Sequence, residues 1–303
     1  ISEHFDYDNL HRLDSSTQTW NGHSAITVDY AYNNIGNLLT KNDYATVYDY
    51  TNGGSDGNGG GPNAVKQVTK LDGTIVTFTY DANGNMLTGD NRVIEYNAIN
   101  KPTKITRTGQ FVSYLSYGPD YQRYKQATSE NKTSKYIGDF EIMTKDGNIE
   151  YRHYIGDFAV YTRKKANNGA ISSNLNFKHV DRLGSADTYT DKSGNVLERH
   201  GYDAFGKPRQ GAWNPAEQNI LASAISDRGF TQHEHLDNVQ LIHMKGRVYD
   251  YNLGRFLSVD PFIQEPGNTQ SINPYSYGMN NPLAGTDPTG YIFFLIPVAF
   301  EIA

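Results

Sequence analysis

Three histidines, His233, His235 and His243, are the first residues whose types and spacing suggest chemistry. Side chains alternate along a strand with period two, so His233 and His235 would share one strand face, and imidazole is a common zinc ligand. No third and fourth ligand stands out, and the chain has no cysteine that could supply a thiolate. The pattern favours structural histidines, and we predict no metal and no cofactor.

A serine, a histidine and an aspartate also lie close together, at Ser185, His179 and Asp181. In a hydrolase such a set would let the histidine activate the serine hydroxyl. However, these residues surround Asp-Arg-Leu-Gly-Ser, where the aspartate can cap a tight turn with its carboxylate. The turn accounts for them better than catalysis does.

Two aspartates, Asp260 and Asp287, stand directly before proline. The structural explanation is that each begins a turn, because proline restricts the backbone of the preceding residue. The chemical explanation is peptide hydrolysis by two carboxyl groups, one protonated to polarise the carbonyl and one ionised to activate water. Sequence separation alone does not bring these two side chains together.

The elements that position these residues are predicted to be strands joined by tight turns. The chain contains 23 tyrosines and 29 glycines among many Asn, Asp and Thr, which favour strands and turns over helices. An aromatic residue followed by Asp or Asn, and then by a turn, recurs at irregular spacing. Copies begin at Tyr7, Tyr32, Tyr80, Tyr96, Tyr202 and Tyr249.

Residues 76–88 show one such unit. Phe78 and Tyr80 alternate with threonines at period two, and Asn83-Gly84 suits the positive φ angles of a tight hairpin turn. The unit is therefore predicted to be strand, turn, strand, with Asp81 capping the turn. Between such units we expect a mobile loop at 53–62, a polar link at 161–173, a helix at 214–225 and a short helical turn near 273–280.

The overall composition excludes several classes of protein. The net charge of −6 and the absence of long Lys/Arg runs argue against nucleic-acid binding. The longest apolar stretch, 292–300, is about half the length that spans a bilayer and contains Pro297, so no transmembrane helix is predicted. The chain begins with Ile1 and shows no leader pattern, which we interpret as a processed or excerpted segment.

From residue 178 onward, several motifs follow one another in a fixed order. They are HVDRLGS at 179–185, YTDKSGNV at 189–196, YDAFG at 202–206, GFTQHE at 229–234, GRVYDYNLGRFLSVDP at 246–261, NPYSYGMNNPL at 273–283 and DPTGY at 287–291. In this order the chain resembles the Rhs-repeat-associated core domain, and the preceding residues resemble the tyrosine/aspartate repeats of Rhs effectors and Tc-toxin C subunits. The resemblance implies an all-β fold, in which a ribbon of hairpins spirals into a hollow shell closed by a small plug with short helices.

The resemblance also implies a function. In such bacterial proteins, aspartyl self-cleavage after the second Asp-Pro motif frees a C-terminal toxin enclosed in the shell. Carried over to this chain, the catalytic residues are Asp260, Asp287 and Arg247, with Arg255 as the alternative basic residue, and the bond cut joins Tyr291 to Ile292. Ile263 and Tyr291 depart from the family pattern, which has glycine and commonly leucine there.

The predicted domains are a repeat segment at 1–170, a core domain at 171–291, and 292–303 as either the start of the cargo or a final buried strand. The expected partners are the chain's own C-terminal toxin, further shell-forming subunits or repeats, and a delivery machine, with secretion or delivery outside the producing cell. Two alternatives stay open, a structural or adhesive scaffold without cleavage and a carbohydrate-binding β protein that uses exposed tyrosines.

Overall fold

The computed structural model describes residues 2–20, 22, 24–51, 60–209 and 225–296. Antiparallel strands dominate this part of the chain, and the only helices in it are short 3-10 turns. The chain divides into two compact units. Unit 1 comprises residues 1–90 and 249–303, and unit 2 comprises residues 91–248.

Unit 1 is built mainly from a sheet whose seven strands pair in chain order. These strands are β1 Ser2–Tyr7, β2 Leu13–Thr19, β3 Ile26–Tyr32, β4 Leu38–Lys41, β5 Ala45–Asp49, β6 Gln67–Lys70 and β7 Ile75–Thr77. The hairpin of β8 Thr79–Tyr80 and β9 Met86–Gly89 follows. The C-terminal part of unit 1 adds β26 Arg255–Phe256, β27 Gly285–Thr286, β28 Phe294–Leu295 and the 3-10 turns Thr269–Ile272 and Gly278–Asn280, and another 3-10 turn covers Gly61–Asn63.

Unit 2 contains a longer ladder of the same kind, again in chain order. Its strands are β10 Arg92–Tyr96, β11 Pro102–Arg107, β12 Phe111–Tyr117, β13 Arg123–Thr128, β14 Lys132–Ile137, β15 Phe140–Lys145, β16 Asn148–Ile155, β17 Ala159–Lys165, β18 Ile171–Val180, β19 Ala186–Thr190 and β20 Val196–Arg199. Two small hairpins follow, β21 Gly201–Tyr202 with β22 Pro208–Arg209 and β23 Glu234–Leu236 with β24 Leu241–Met244, together with the 3-10 turns Phe230–Gln232 and Asp237–Val239. The strand β25 Arg247–Asp250 crosses the division between the units.

The repeat has a simple local cause, which is clearest at Asp81. Its Oδ1 accepts hydrogen bonds from the backbone amides of Asn83 at 2.9 Å and Asn85 at 2.8 Å, as predicted. Gly84, at φ +81°, turns the chain between them without the steric conflict that a β-carbon would bring. The same pair of amide bonds, to the second and fourth residues after the cap, occurs at Asp8, Asn33, Asn97, Asp181, Asp191 and Asp203.

In the C-terminal part of unit 1, aromatic rings form the core. Tyr249 lies 5.3 Å from Tyr277 and 5.4 Å from Phe256 between ring centroids, and Tyr277 lies 5.7 Å from Phe293. The hydroxyl of Tyr275 donates to the carbonyl oxygen of Gly84 at 2.8 Å. Tyrosine thus serves as a buried ring with a polar end, and its hydroxyl fastens the C-terminal motifs of unit 1 to a repeat turn.

The other predicted elements have different outcomes. Residues 161–173, predicted as a polar link, form the β17–β18 hairpin of unit 2, and the predicted domain division at 170 and 171 falls in its turn. This hairpin is a continuous ladder because its polar residues pair through their backbones. The predicted division into domains at 1–170, 171–291 and 292–303 stays a prediction. Most of the predicted loop at 53–62 and nearly all of the predicted helix at 214–225 lie outside the described residues.

Two C-terminal predictions fall within the described part. Near 273–280, where a helical turn is expected, the structure has a tight turn at Gly278–Asn280, but its φ angles of 55°, 55° and 67° are left-handed rather than those of an ordinary helical turn. In the described part of the tail, 292–296, Phe293 is buried, whereas Phe294 and Leu295 pair with β27 and expose their side chains. Among the described residues, we find no helix with the length and apolarity required to cross a bilayer.

Candidate functional site

Asp287 contacts the peptide bond between Tyr291 and Ile292, where cleavage is predicted. Its side chain is 3% exposed, and its Oδ1 accepts the backbone amides of Tyr291 at 2.9 Å and Ile292 at 3.0 Å. It also accepts the amide of Thr289, at 3.3 Å. The amide of Ile292 is the nitrogen of the bond between Tyr291 and Ile292, so this carboxyl group contacts the predicted bond from its leaving-group side.

Thr289 is a second polar group on the same bond. Its hydroxyl lies 3.2 Å from Asp287 Oδ1 and donates to it. The hydroxyl oxygen also accepts the amides of Tyr291 at 3.2 Å and Ile292 at 3.1 Å. Ile292 is 39% exposed, so the residue that follows the predicted bond is in contact with solvent.

The segment that begins at Asp260 runs beside this turn. The Asp260 carboxylate accepts the amide of Phe262 at 3.0 Å, and the Phe262 ring lies 5.9 Å from the Tyr291 ring. The side-chain amide of Gln264 holds the backbone of Phe293 from both directions, donating to its carbonyl oxygen at 2.6 Å and accepting its N–H at 2.9 Å. The two predicted aspartates therefore belong to segments in contact on both sides of the predicted bond.

The two candidate arginines have different surroundings. Arg255 is buried in unit 1, where its guanidinium donates to the side chain of Asn280 at 2.8 Å and to the carbonyl oxygen of Gly36 at 3.2 Å. These bonds join the C-terminal motifs to a repeat turn, which is a structural task. Arg247 is buried in unit 2, and its predicted catalytic role stays a prediction.

The three histidines are buried structural residues. His235 Nε2 accepts the amide of Phe230 at 3.1 Å, and burial lowers the pKa of His235 to about 3. Burial also lowers the pKa of His243, whose ring nitrogen Nε2 lies 3.3 Å from the hydroxyl of Tyr117. Among the described residues, no group of three His, Cys, Asp or Glu side chains is arranged to hold a metal ion.

The set around Ser185 forms a turn, as predicted. Asp181 Oδ1 accepts the amides of Leu183 and Ser185, both at 2.8 Å, and the Ser185 hydroxyl accepts the amide of Thr231 at 3.1 Å. His179 instead contacts Thr190, at 3.1 Å. The serine hydroxyl thus serves as a backbone acceptor.

Comparison with known proteins gives relatives of much greater length. No protein-family model matches the chain. The tRNA3(Ser)-specific nuclease WapA of Bacillus spizizenii is 25% identical over 296 residues, covering 96% of this chain and 12% of that protein. The tRNA nuclease WapA of Bacillus subtilis strain 168 is 24% identical over 297 residues, with the same coverage. The chain therefore spans about an eighth of the length of these curated relatives.

Solved structures with the same fold come from Tc toxins. TcdB2-TccC3 without its hypervariable C-terminal region matches with a TM-score of 0.68 and 16% identity, over 95% of this chain and 15% of that chain. A Tc holotoxin pore of Photorhabdus luminescens that carries a TccC3 mutation matches with a TM-score of 0.67 and 15% identity, over 98% of this chain and 15% of that one. The predicted all-β ribbon of antiparallel hairpins is thereby confirmed.

Proposed function

We propose that this chain contributes to a β-shell that encloses a C-terminal polypeptide and releases it by aspartyl self-cleavage after Tyr291. The observation that carries the proposal is the contact of Asp287 with the amide nitrogen of Ile292, at 3.0 Å. The fold shared with TcdB2-TccC3 supports the shell. The proposed partners are the chain's own C-terminal segment, further shell-forming subunits or repeats, and a delivery machine that exports the complex.

In the proposed reaction the two carboxyl groups divide the work. Asp260 accepts a proton from the water whose oxygen adds to the carbonyl carbon of Tyr291. Asp287, in its protonated form, gives a proton to the nitrogen of Ile292 as the carbon–nitrogen bond breaks. The products are a new carboxyl group at Tyr291 and a new amine at Ile292. Gln264 and Thr289 position the bond, which lowers the entropic part of the barrier.

Substitution by asparagine tests this chemistry without removing the turn. Asn33 and Asn97 cap repeat turns in this same chain, each accepting the amides of the second and fourth residues that follow. Asp287→Asn should therefore keep the turn and lose the acid. The matched control is Asp81→Asn, the same change in a repeat turn.

The measurement is the intact mass of the purified chain over time. The parent and Asp81→Asn should yield a species that ends at Tyr291 and a peptide that begins at Ile292, whereas Asp287→Asn and Asp260→Asn should stay whole through Ala303, with rates at least about a hundredfold lower. A parent chain that stays whole, or an Asp287→Asn chain cut as fast as the parent, contradicts self-cleavage.

A second candidate function, a scaffold without cleavage, has one specific observation in its favour. Asp287 accepts the amides of the second and fourth residues after it, and Gly290 follows at φ +77°, so the motif is a repeat turn in its own right. A persistent full-length parent with native stability would favour this alternative. The acidic balance of the chain gives no support to placing the nuclease activity of the WapA relatives in these residues.

A further inference from the structure

A second candidate site lies in unit 2, well separated in sequence from the proposed cleavage site. A cavity of about 600 Å³ opens beside the turns that join β12 to β13, β14 to β15 and β16 to β17. Lys178 from β18 and Arg228 line it, together with Arg123, Gln232 and Glu234. The distribution of charge inside this cavity is the reason to expect a bound ligand.

Lys178 is a buried cation with a neutral partner. Its side chain is 7% exposed, and its ammonium group donates to the side-chain oxygen of Gln232 at 2.5 Å. Within the described ranges it forms no ion pair, although an ammonium group has three hydrogens to donate. Burial lowers the pKa of Lys178 to about 8, against the opposing negative charge of Asp157 and with a smaller contribution from the positive charge of Arg228. A buried charge without a directly hydrogen-bonded opposite charge is unfavourable unless something compensates it.

Arg228 is the second cation. Its guanidinium carbon lies 3.6 Å from the centre of the Tyr154 ring, and it has no ion pair in the part of the chain that the structure describes. Arg123, in the same cavity wall, shows the contrast, because it is paired with Glu234. The cavity therefore combines one arginine that is paired with a carboxylate and two cations that form no direct ion pair with a described residue, although the charge of Asp157 on the rim acts on Lys178.

The turn that holds Gln232 against Lys178 is strained. Thr231 has φ +46° and Gln232 has φ +66°, a left-handed conformation that disfavours side chains with a β-carbon. The amide of Thr231 is fixed by the Ser185 hydroxyl at 3.1 Å. Strain of this kind is concentrated at binding sites, where the surrounding structure maintains it. Here it fixes the side chain of Gln232, to which the buried ammonium group donates.

The rim of the cavity carries the opposite charge. Asp120, Asp139 and Asp157 stand on the three hairpin turns around the opening, and all three are exposed. We propose that the cavity binds a small molecule through a carboxylate or phosphate group held by Lys178 and Arg228. The rim aspartates repel polyanions, so the rest of this ligand is neutral or positively charged.

Pyridoxal 5′-phosphate is a suitable probe, because its aldehyde reacts with neutral amines and its phosphate tests for an oxyanion site. After borohydride reduction, peptide mapping should show Lys178 modified at least about tenfold faster than the exposed Lys192. Inorganic phosphate or acetate should protect Lys178, and comparing the two identifies the preferred oxyanion. Modification no faster than at Lys192, or failure of both anions to protect, overturns the proposal.

Two variants separate charge from reactivity. Lys178→Arg keeps the cation and removes the amine, so phosphate should still raise the melting temperature although the modification is lost. Arg228→Gln should weaken protection by phosphate about tenfold, as loss of one charged hydrogen bond implies. If Arg228→Gln does not fold, Lys178→Arg still tests the proposed site. A Lys178→Arg chain whose melting temperature phosphate does not raise contradicts the site.

Discussion

Glu141 on β15 carries a buried carboxyl group that the fold satisfies only in part. It is 3% exposed, its Oε2 accepts the Tyr154 hydroxyl at 3.1 Å, and its Oε1 accepts no hydrogen bond from the described residues. Burial first, and then the negative charge of Glu234, raise the pKa of Glu141 from 4.5 to about 7, although Arg152 acts in the opposite direction. Neutralising this group should therefore stabilise the fold at alkaline pH.

The sign and size follow from the pKa. The folded chain holds the proton of Glu141 more tightly than the unfolded chain, so its contribution to stability is complete below pH 4.5 and is lost as the pH rises through about 7. At about 1.4 kcal/mol per pH unit, the loss between pH 5 and pH 8 is about 2 to 3 kcal/mol. Glu141→Gln keeps the size and the acceptor for Tyr154 but does not ionise. Between pH 5 and pH 8, the unfolding free energy of Glu141→Gln should therefore rise by about 2 to 3 kcal/mol relative to that of the parent.

The assay is denaturant unfolding of parent and Glu141→Gln at both pH values. The quantity compared is the difference in unfolding free energy between the variant and the parent at each pH. This difference is needed because burial lowers the pKa of His235 to about 3, which destabilises the parent and the variant alike as the pH falls below 6.5. The control is Glu130→Gln, an exposed carboxylate 3.4 Å from Lys145, which should change stability by less than about 0.5 kcal/mol. An equal free-energy difference at pH 5 and pH 8 would refute the reasoning.

Two further substitutions test the turn and the positioning of the proposed scissile bond. Gly206→Ala should lower the free energy of unfolding by about 3 kcal/mol, because Gly206 has φ +87° and its β-carbon would lie 2.6 Å from a ring carbon of Phe230. Gly194 has φ +83° and open space around it, so Gly194→Ala should lower the free energy of unfolding by only about 1 kcal/mol. If urea unfolding gives the same loss for Gly206→Ala and Gly194→Ala, the contact with Phe230 contributes nothing. If the chain cleaves itself, Gln264→Ala should slow the reaction about tenfold in the intact-mass assay, because the two bonds to Phe293 disappear; an unchanged rate contradicts this positioning.

Local features of the fold could be predicted from the sequence, whereas the grouping of the elements could not. The Asp81 turn was predictable because its bonds close within four residues and Gly84 supplies the required φ. The packing of residues 249–296 with the described part of the first ninety residues has no such signal. It depends on contacts such as that of the Tyr275 hydroxyl with Gly84 and that of Arg255 with Gly36, which join residues far apart in sequence.

The candidate site shows the same limit. Asp260 and Asp287 were selected by their motifs, but the positioning residues Thr289 and Gln264 were missed. Thr289 lies between two motif residues, and its hydroxyl acquires a role only when the turn brings the amide of Ile292 within 3.1 Å. Gln264 binds backbone atoms of Phe293, and any residue except proline at that position would offer the same atoms. Neither contact produces a pattern of residue types from which it could be predicted.

The proposed reaction site is the ordinary repeat turn with one additional amide. Asp81 and the other repeat caps accept the amides of the second and fourth residues after them, and Asp287 accepts these and also that of Ile292, the fifth. The additional contact is possible because Thr289 supplies a hydroxyl to the same carboxylate and amide and because Gln264 holds the chain at the next residue. A turn that only reverses the chain needs neither contact. The bonds to Ile292 and Phe293, rather than the capping aspartate itself, are therefore what distinguishes this turn chemically from the repeats.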